Sequence, residues 1–411
     1  MTTPFHDKRI VLGITGSIAA YKSVELASRL AQEGSFVDVI LTQAAEKFVS
    51  PLTFQSVTGR PASTEADLWG SEGHVLHIGL AHRADLIVLA PITANTIAKL
   101  AHGIADNLLT VTALAASCPL IIAPAMDAGM YSHPATQSNI DILRKRQVAV
   151  IGPVEGHLAS GLSGVGRMVD PTELLGQIRH ALSQRGPLHG RKFIITAGKT
   201  FEPIDPVRGF TNRSSGKQGF ALAQAALDRG AEVVLITGPT YLDTPCGARR
   251  IDIHTAGEMR DEVLNSLPGS TALIMAAAVA DFRPKMVADQ KIKKVDGVPQ
   301  IQFEATPDIL REVLIEKKKT GSPQITVGFA AESQDLLSSA RRKIEEKQLD
   351  LIIANDISAT DAGFAVDTNR VTILDAGGGE QPLPLLSKME VAQSVLERVI
   401  GLLGISSGEQ N

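Results

Sequence analysis

Aromatic side chains are scarce. They make up 4% of the 411 residues, with a single tryptophan. A core without them is built from Ala, Val, Ile and Leu, which suits parallel strands buried on both faces. Cysteine is scarcer still. Cys118 and Cys246 stand far apart and form no CxxC pair. That excludes a disulfide framework or zinc ribbon and implies a reducing, cytoplasmic setting. No apolar run reaches membrane-spanning length: the stretch 85–98 is broken by Pro91, Thr93 and Asn95. The opening MTTPFHDKR has no apolar core of a signal peptide. Basic charge is not in excess either. A net charge of −4 argues against a general nucleic-acid binder, while leaving room for small phosphorylated ligands held by local basic groups. What is present, 44% hydrophobic and 20% charged residues, is a globular composition. At this length, two or three domains are expected.

Strand and helix patterns alternate. The run 9–15 (RIVLGIT) reads as a buried strand. Gly16-Ser17-Ile18-Ala19-Ala20 turns it into a helix with Val24, Ala27, Leu30 and Ala31 on one face. Gly34 ends that helix, and 36–42 is the next strand. Strand-like runs recur at 85–90, 119–123 and 148–152, with helical patterns between them. Such alternation predicts a parallel, doubly wound sheet. The Gly/Pro-containing connector 184–191 has no periodicity, which divides the chain into domains 1–189 and 190–411. The pattern then restarts: strand 193–196, helix 219–229, strand 231–237, and apolar runs at 272–278, 325–329 and 349–354. The expected fold class is α/β, with two tandem Rossmann-like doubly wound domains. Ser387 with Glu390 is a capping-box signature for a last helix.

The second half is organised around Thr196 to Gly219, TAGKTFEPIDPVRGFTNRSSGKQG. Strand, long glycine-containing loop and helix point backbone N–H groups and a helix N-terminus at an anion. The first half carries chemistry in four places. Gly16-Ser17-Ile18-Ala19 is a plausible phosphate cradle, although such turns also serve structure alone. Thr93 and Asn95 follow a strand's C-terminal end, where open sheets bind ligands; helix capping is the alternative. His74 and His77 sit three apart. A metal pair, a single catalytic His and a satisfied core His are the three readings, and no carboxylate or cysteine at ligand spacing favours the metal. The fourth is the segment 124–131 (PAMDAGMY) followed by the glycine-rich 156–167, either a lid or a surface loop.

Together these motifs carry a resemblance. GSIAAYK, HIGLAHRADLIVLAPITANTIAKLAHGIADNLL and PAMDAGMYSHPATQSN resemble the flavin-dependent cysteine decarboxylases. AGKTFEPIDPVRGFTNRSSGKQGFALA, AAAVADFRP, KIKK and GFAAES resemble phosphopantothenate–cysteine ligase. The order of the halves is similar to the bifunctional phosphopantothenoylcysteine decarboxylase/phosphopantothenate–cysteine ligase family of bacterial coenzyme A biosynthesis, over about residues 8–400. The resemblance implies a flavodoxin-like FMN domain followed by a CTP-binding ligase domain.

It implies FMN contacts at Gly16, Ser17, Ile18, Thr42, Thr93 and Asn95, a catalytic His77, and substrate contacts at Asp127 and Met130. An imidazole suits that role because its pKa lies near working pH. In the second half it implies CTP contacts at Met275, Ala276, Ala277, Asp281, Lys291, Pro307, Asp308, Ile309, Leu310, Phe329, Lys343 and Lys347. Mg²⁺ is implied with the CTP, and its ligands are unassigned. A Lys pair four apart on a helix is otherwise a solvated face. Asn212 matches the residue that handles an acyl-cytidylate, and an Asx-turn is its alternative. The implied ligands are CTP, 4′-phosphopantothenate, cysteine and 4′-phosphopantothenoylcysteine. The implied assembly is trimers of the FMN domain and dimers of the ligase domain, giving a dodecamer with the flavin site at a subunit interface.

Three positions depart from the family pattern. Asp127 stands where Asn is usual, so either it is protonated before a substrate carboxylate or it contacts another group. Ser160 stands where the lid carries a Cys proton donor, and an alcohol is a far poorer acid than a thiol with a pKa of about 8.5. Cys118, before a buried strand, is a structural residue in this reading and no substitute. Lys199 replaces a Gly; either the position does not need positive φ or the lysine adds charge near the ligand. The first two departures leave one alternative: a ligase whose N-terminal half binds FMN but only regulates. A cysteine-end decarboxylase acting on peptides is the other, and the intact ligase half weighs against it.

Overall fold

In a computed structural model, which describes residues 3–69, 73–293, 299–332, 336–356 and 366–405, the apolar runs become the centre of two sheets. The chain divides into two compact units, residues 2–182 and 183–411. The first contains β1 (Arg9–Ile14), α1 (Ala20–Gln32), β2 (Phe36–Leu41), α2 (Pro51–Thr58), α3 (Gly73–Arg83), β3 (Leu86–Ile92), α4 (Ala94–His102), α5 (Leu108–Ala115) and β4 (Leu120–Pro124). It continues through α6 (Ala128–Ser132), α7 (Pro134–Lys145), β5 (Ala149–Val150), β6 (Val154–His157), β7 (Ser163–Arg167) and α8 (Pro171–Ser183).

Strands β2-β1-β3-β4-β5 lie in that order, all parallel. This is the flavodoxin-like order, and its strand sequence reverses between β1 and β3, where such folds bind ligands. Leu12, Ile14, Val88 and Ala90 face one buried cluster, and Val11, Ile87 and Leu89 face the other. β-branched and leucine side chains fill both faces, so the near-absence of aromatics costs the core nothing. The glycine-rich 156–167 is neither an open loop nor a bare lid: β6 and β7 pair as an antiparallel hairpin.

The second unit contains β8 (Lys192–Ala197), β9 (Phe201–Pro203), β10 (Gly209–Thr211), α9 (Lys217–Leu227), β11 (Glu232–Thr237), β12 (Arg249–Asp252), α10 (Ala256–Ser266) and β13 (Ala272–Met275). Then come β14 (Phe282–Pro284), β15 (Phe303–Ala305), α11 (Ile309–Thr320), β16 (Ile325–Glu332), α12 (Leu336–Lys347) and β17 (Leu351–Asp356). β18 (Thr368–Asn369), β19 (Val371–Asp375), β20 (Glu380–Pro382), β21 (Leu386–Ser387) and α13 (Lys388–Leu402) complete it. Strands β12-β11-β8-β13-β16-β17 are parallel, and β19 and β20 extend them antiparallel. Counted along the chain, the parallel part has the Rossmann order 3-2-1-4-5-6, reversing between β8 and β13. The loop 198–216 leaves β8 there.

The units divide at the end of α8, before the connector 184–191. The reason is Leu188, which is fully buried in the second core while its N–H donates to Arg229 O at 2.8 Å. The Ser387 capping box forms as its spacing predicts, with Ser387 and Glu390 bonded reciprocally. Lys199 has no positive φ, so that position does not demand glycine. Its backbone bridges Ala278 and packs so closely on Gly238 that a Cβ there would lie 1.8 Å from Lys199 O.

Candidate active sites

At the β1/β3 reversal a cavity of about 370 Å³ opens. Gly16, Ser17 and Ile18 form one wall because β1 turns there directly into α1. Gly16 has to be glycine: a Cβ would meet that of Ala44 at 2.5 Å. The N-cap of α1, Ala19, makes no side-chain cap bond of its own; at this end of the 13-residue helix Ala19 N–H donates to Ser17 Oγ at 3.3 Å and Ala20 N–H to Ser17 O at 3.0 Å. Thr93 caps α4 on the neighbouring wall, its N–H held by Thr15 Oγ1 at 3.0 Å. Ile18, Tyr21 and Met130 give the rim exposed apolar surface.

The opposite wall joins two of the unusual positions. Asp127 caps α6 through Gly129 N–H at 2.9 Å, and Ser160, at the hairpin tip, donates to the other carboxylate oxygen at 2.8 Å. The Ser160 hydroxyl, followed by that N–H, holds the Asp127 carboxyl below its ordinary range. The Asp127 carboxyl thus contacts Ser160 and the Gly129 N–H. Gly166 closes the hairpin on this wall. Met126 N–H donates to Gly166 O at 3.0 Å, and a Cβ at Gly166 would lie 2.2 Å from Met126 O.

Gly16, Ser17, Ile18, Thr93, Asp127, Met130 and Ser160 therefore meet in one cavity, whereas Thr42, Asn95 and His77 do not line it. Thr42 turns its N–H and hydroxyl back to Ile14 O. Asn95 lies in the first turn of α4. His77 lies on α3, with Nδ1 buried and lacking a hydrogen-bond partner among the described residues. The side chain of His74 lies outside the described residues. Among the described residues no group of three or more His, Cys, Asp or Glu gathers to hold a metal ion. Cys118 is half-buried against the core, which pushes its thiol pKa up.

A second cavity, of about 590 Å³, lies at the β8/β13 reversal. Met275, Ala276, Ala277 and Asp281 line it as β13 ends, and Pro307, Asp308, Ile309 and Leu310 as α11 begins. Phe329 comes from β16, and Lys343 and Lys347 from α12. Lys347 pairs with Asp308 at 3.1 Å. Asn212 lies in the same wall. Its Nδ2 donates to Ala278 O at 2.5 Å, and its Oδ1 accepts Ser214 N–H at 3.0 Å, an Asx-turn that leaves one amide N–H for a ligand. Gly216 has φ +82° and starts α9 with no side-chain cap bond, so the predicted anion-facing N-terminus is present.

Of the residues expected to contact CTP, Lys291 does not line this cavity. The backbone beside it is tied elsewhere: Asp205 accepts Ile292 N–H at 3.2 Å, and Arg208 donates to Ile292 O at 2.7 Å. Missing from the sequence reading were Asn355, Asn369 and Lys388, which also line the cavity, as do Lys217 and Gln218 of the loop expected to face an anion. They sit at helix starts and inside strands, where nothing local separates a site residue from a solvated or structural one.

Two nucleotide-binding-type folds, each with a cavity at its strand-order reversal, define a two-site α/β protein. Comparison with known families agrees. The family described as Flavoprotein matches residues 2–183, and the DNA/pantothenate metabolism flavoprotein C-terminal domain matches residues 188–402. The coenzyme A biosynthesis bifunctional protein CoaBC of Bacillus subtilis (strain 168) is 47% identical over 400 residues, covering 97% of this chain and 98% of that protein. Its counterpart in Vibrio vulnificus (strain CMCP6) is 44% identical over 399 residues, with the same coverage of both chains. That of Mycobacterium bovis is 40% identical over 413 residues, again covering 97% and 98%.

The chain belongs to the CoaBC family of bifunctional coenzyme A biosynthesis proteins. It is a flavoprotein enzyme with decarboxylase and ligase activities, carrying out two consecutive steps of that biosynthesis. A merely regulatory N-terminal half is not favoured. No helix among the described residues is long and apolar enough to cross a membrane.

Proposed function

We propose that the second cavity joins 4′-phosphopantothenate to cysteine at the expense of CTP. The substrate carboxylate attacks the α-phosphorus of CTP, and pyrophosphate leaves. The cysteine amine then attacks the acyl-cytidylate carbonyl, and CMP leaves. What supports this reading is that Asn212, Asp281 and both lysines of α12 line one cavity. The free N–H of Asn212 would donate to the carbonyl oxygen as negative charge develops on it. Lys343 and Lys347 would neutralise phosphate charge. Asp281 and Asp308 would be the carboxylates available to hold a magnesium ion, whose charge would offset that of the triphosphate. Dimers of the ligase domain belong to the same reading, with Lys291 serving a partner's cavity.

The first cavity is read as the FMN-dependent decarboxylase of 4′-phosphopantothenoylcysteine. The positive end of the α1 dipole on the cavity wall suits a phosphate, the Gly16 turn fits close approach, and the exposed apolar rim fits a flat ring. FMN would supply the oxidation of the cysteine end and the return of electrons after CO₂ leaves. This chain's residues bind, orient and move protons. The ionised Asp127 is an acceptor only, so it would hold a donor group of the substrate in place of its carboxylate. His77 is the proton-handling group, and it would face the cavity of a neighbouring copy in a trimer.

Purified protein should be yellow and should convert 4′-phosphopantothenate, cysteine and CTP to 4′-phosphopantetheine. Normal CMP release with 4′-phosphopantothenoylcysteine accumulating would reject the decarboxylase reading alone. Absence of CTP-dependent condensation would reject the ligase reading.

A further inference from the structure

The hairpin β6–β7 is fastened to the wall of the smaller cavity at two points. At its tip Ser160 donates to Asp127 at 2.8 Å. Toward its base Met126 N–H donates to Gly166 O at 3.0 Å. The tip itself is closed by Leu158, which is buried and whose N–H donates to Leu162 O at 2.8 Å. His157 stands between the two fastenings, paired across the hairpin with Ser163. It lines the cavity and is exposed to solvent. A histidine in that place is held at the mouth of the site by bonds on either side of it.

The reaction read for this cavity needs a proton there. When CO₂ leaves the oxidised cysteine end, the electron pair of the broken C–C bond stays on the substrate and gives an unsaturated thiol. Reaching the saturated thiol then takes a hydride at one carbon of the double bond and a proton at the other. The hydride returns the electron pair that the flavin took up in the oxidation. The proton has to come from an acid that meets the substrate.

Few groups can serve. Among the described residues lining the cavity, the titratable or charged side chains are Tyr21, Lys22, Asp127, His157 and Arg167. Lys22 is engaged, donating to Asp170 at 2.7 Å and to Met168 O at 3.3 Å. Arg167 also donates to Asp170, at 3.3 Å, and a guanidinium does not give up its proton. Asp127 is engaged as an acceptor, from Ser160 and from Gly129 N–H. Tyr21 is on the rim, and a phenol is a weak acid beside an imidazolium. Glu155, on the same strand as His157, is exposed and does not line the cavity. The Ser160 hydroxyl spends its hydrogen on Asp127. An imidazole is the side chain suited to giving and regaining a proton near neutral pH.

We propose that His157 is the acid of the reductive half of the reaction: its imidazolium delivers the proton to the unsaturated thiol and is recharged from solvent. Ser160 and Asp127 are positioning residues that hold the hairpin, and His157 with it, against the substrate. This rests on the reading of the cavity as the decarboxylase site. The role is separate from that of His77, whose loss should stop CO₂ release itself.

The test is a single turnover with the full chain in excess over 4′-phosphopantothenoylcysteine, measuring CO₂ and saturated thiol separately from about pH 6 to about pH 9. In the parent, thiol formed per CO₂ should fall as pH rises, because the donor must carry its proton. The substrate-free chain supplies an independent midpoint. Acylation of His157 by diethyl pyrocarbonate, located by peptide mass spectrometry, should rise through the pH at which thiol per CO₂ falls. His157→Gln should release CO₂ yet form saturated thiol about tenfold or more slowly, with the unsaturated thiol accumulating and the pH dependence gone. Equal thiol per CO₂ in variant and parent would overturn the proposal. So would midpoints more than about one pH unit apart, or CO₂ release and thiol formation falling together in the variant, as loss of a merely structural side chain would make them. A parent chain that releases no CO₂ would instead overturn the decarboxylase reading of the cavity.

Discussion

The hydroxyl of Ser160 donates to the Asp127 carboxyl and lowers its pKa, so two departures that look separate along the chain answer to one titration. A depressed carboxyl keeps its partner at pH values above the ordinary carboxylate range and loses it as pH falls through the lowered value. Ser160→Ala should therefore raise the Asp127 pKa toward its ordinary value, which a side-chain NMR titration reads directly. Ser160→Cys restores a thiol at the tip and should speed formation of the saturated thiol relative to CO₂ release; an unchanged ratio would remove position 160 from proton donation. The identities of Asp127 and Ser160 were legible in the sequence, but their bond was not. They are 33 residues apart, and the hairpin that joins them is invisible to periodicity. Lys388 escaped for the opposite reason: a lysine opening a helix looks solvated until the neighbouring helix covers it.

The elements with strong local signals formed where their residues predict. Arg9–Ile14, Glu232–Thr237 and the capped α13 each combine apolar pattern with an unambiguous terminator. Ser387→Ala should cost about 1 kcal/mol, visible as a lower chemical-denaturation midpoint, because both halves of the box are made. The hairpin β6–β7 gave no such signal. SGVGR has the glycines of a loop, and the structure uses them for proximity: Gly164 and Gly166 leave room for Ala128 and the Met126 carbonyl. Gly166→Ala should destabilise this wall by about 1–3 kcal/mol and raise the KM for decarboxylation more than that for ligation. Strand β20, an exposed three-residue edge, and β19 beside it also went unread.

At the scale of the molecule, two units with their own cores carry two cavities. His77→Asn should stop CO₂ release while CMP formation continues at the parent rate; joint loss would contradict separate sites. Residues 183–411, produced alone, should fold and form CMP from CTP, 4′-phosphopantothenate and cysteine. The alternation of strand and helix made the two-domain, doubly wound plan legible in advance. What it could not reveal is which loops of each reversal face inward, because that depends on strand order, and strand order is set by contacts between distant segments.

The turn at Asp205 has a kinetic consequence for Lys291. Three hydrogen bonds fasten the 288–292 stretch to 204–208: Ala288 N–H to Ile204 O, Ile292 N–H to Asp205 and Arg208 to Ile292 O. Arg208 also keeps the inaccessible Asp205 carboxylate well below its usual range, so this fastening persists at every physiological pH. Lys291 is thus a hand on a short tether. In the proposed reading Lys291 serves the cavity of a partner copy with this tether intact. Any rate that depends on Lys291 should then fall on dilution below the assembly's dissociation constant, even with every substrate saturating.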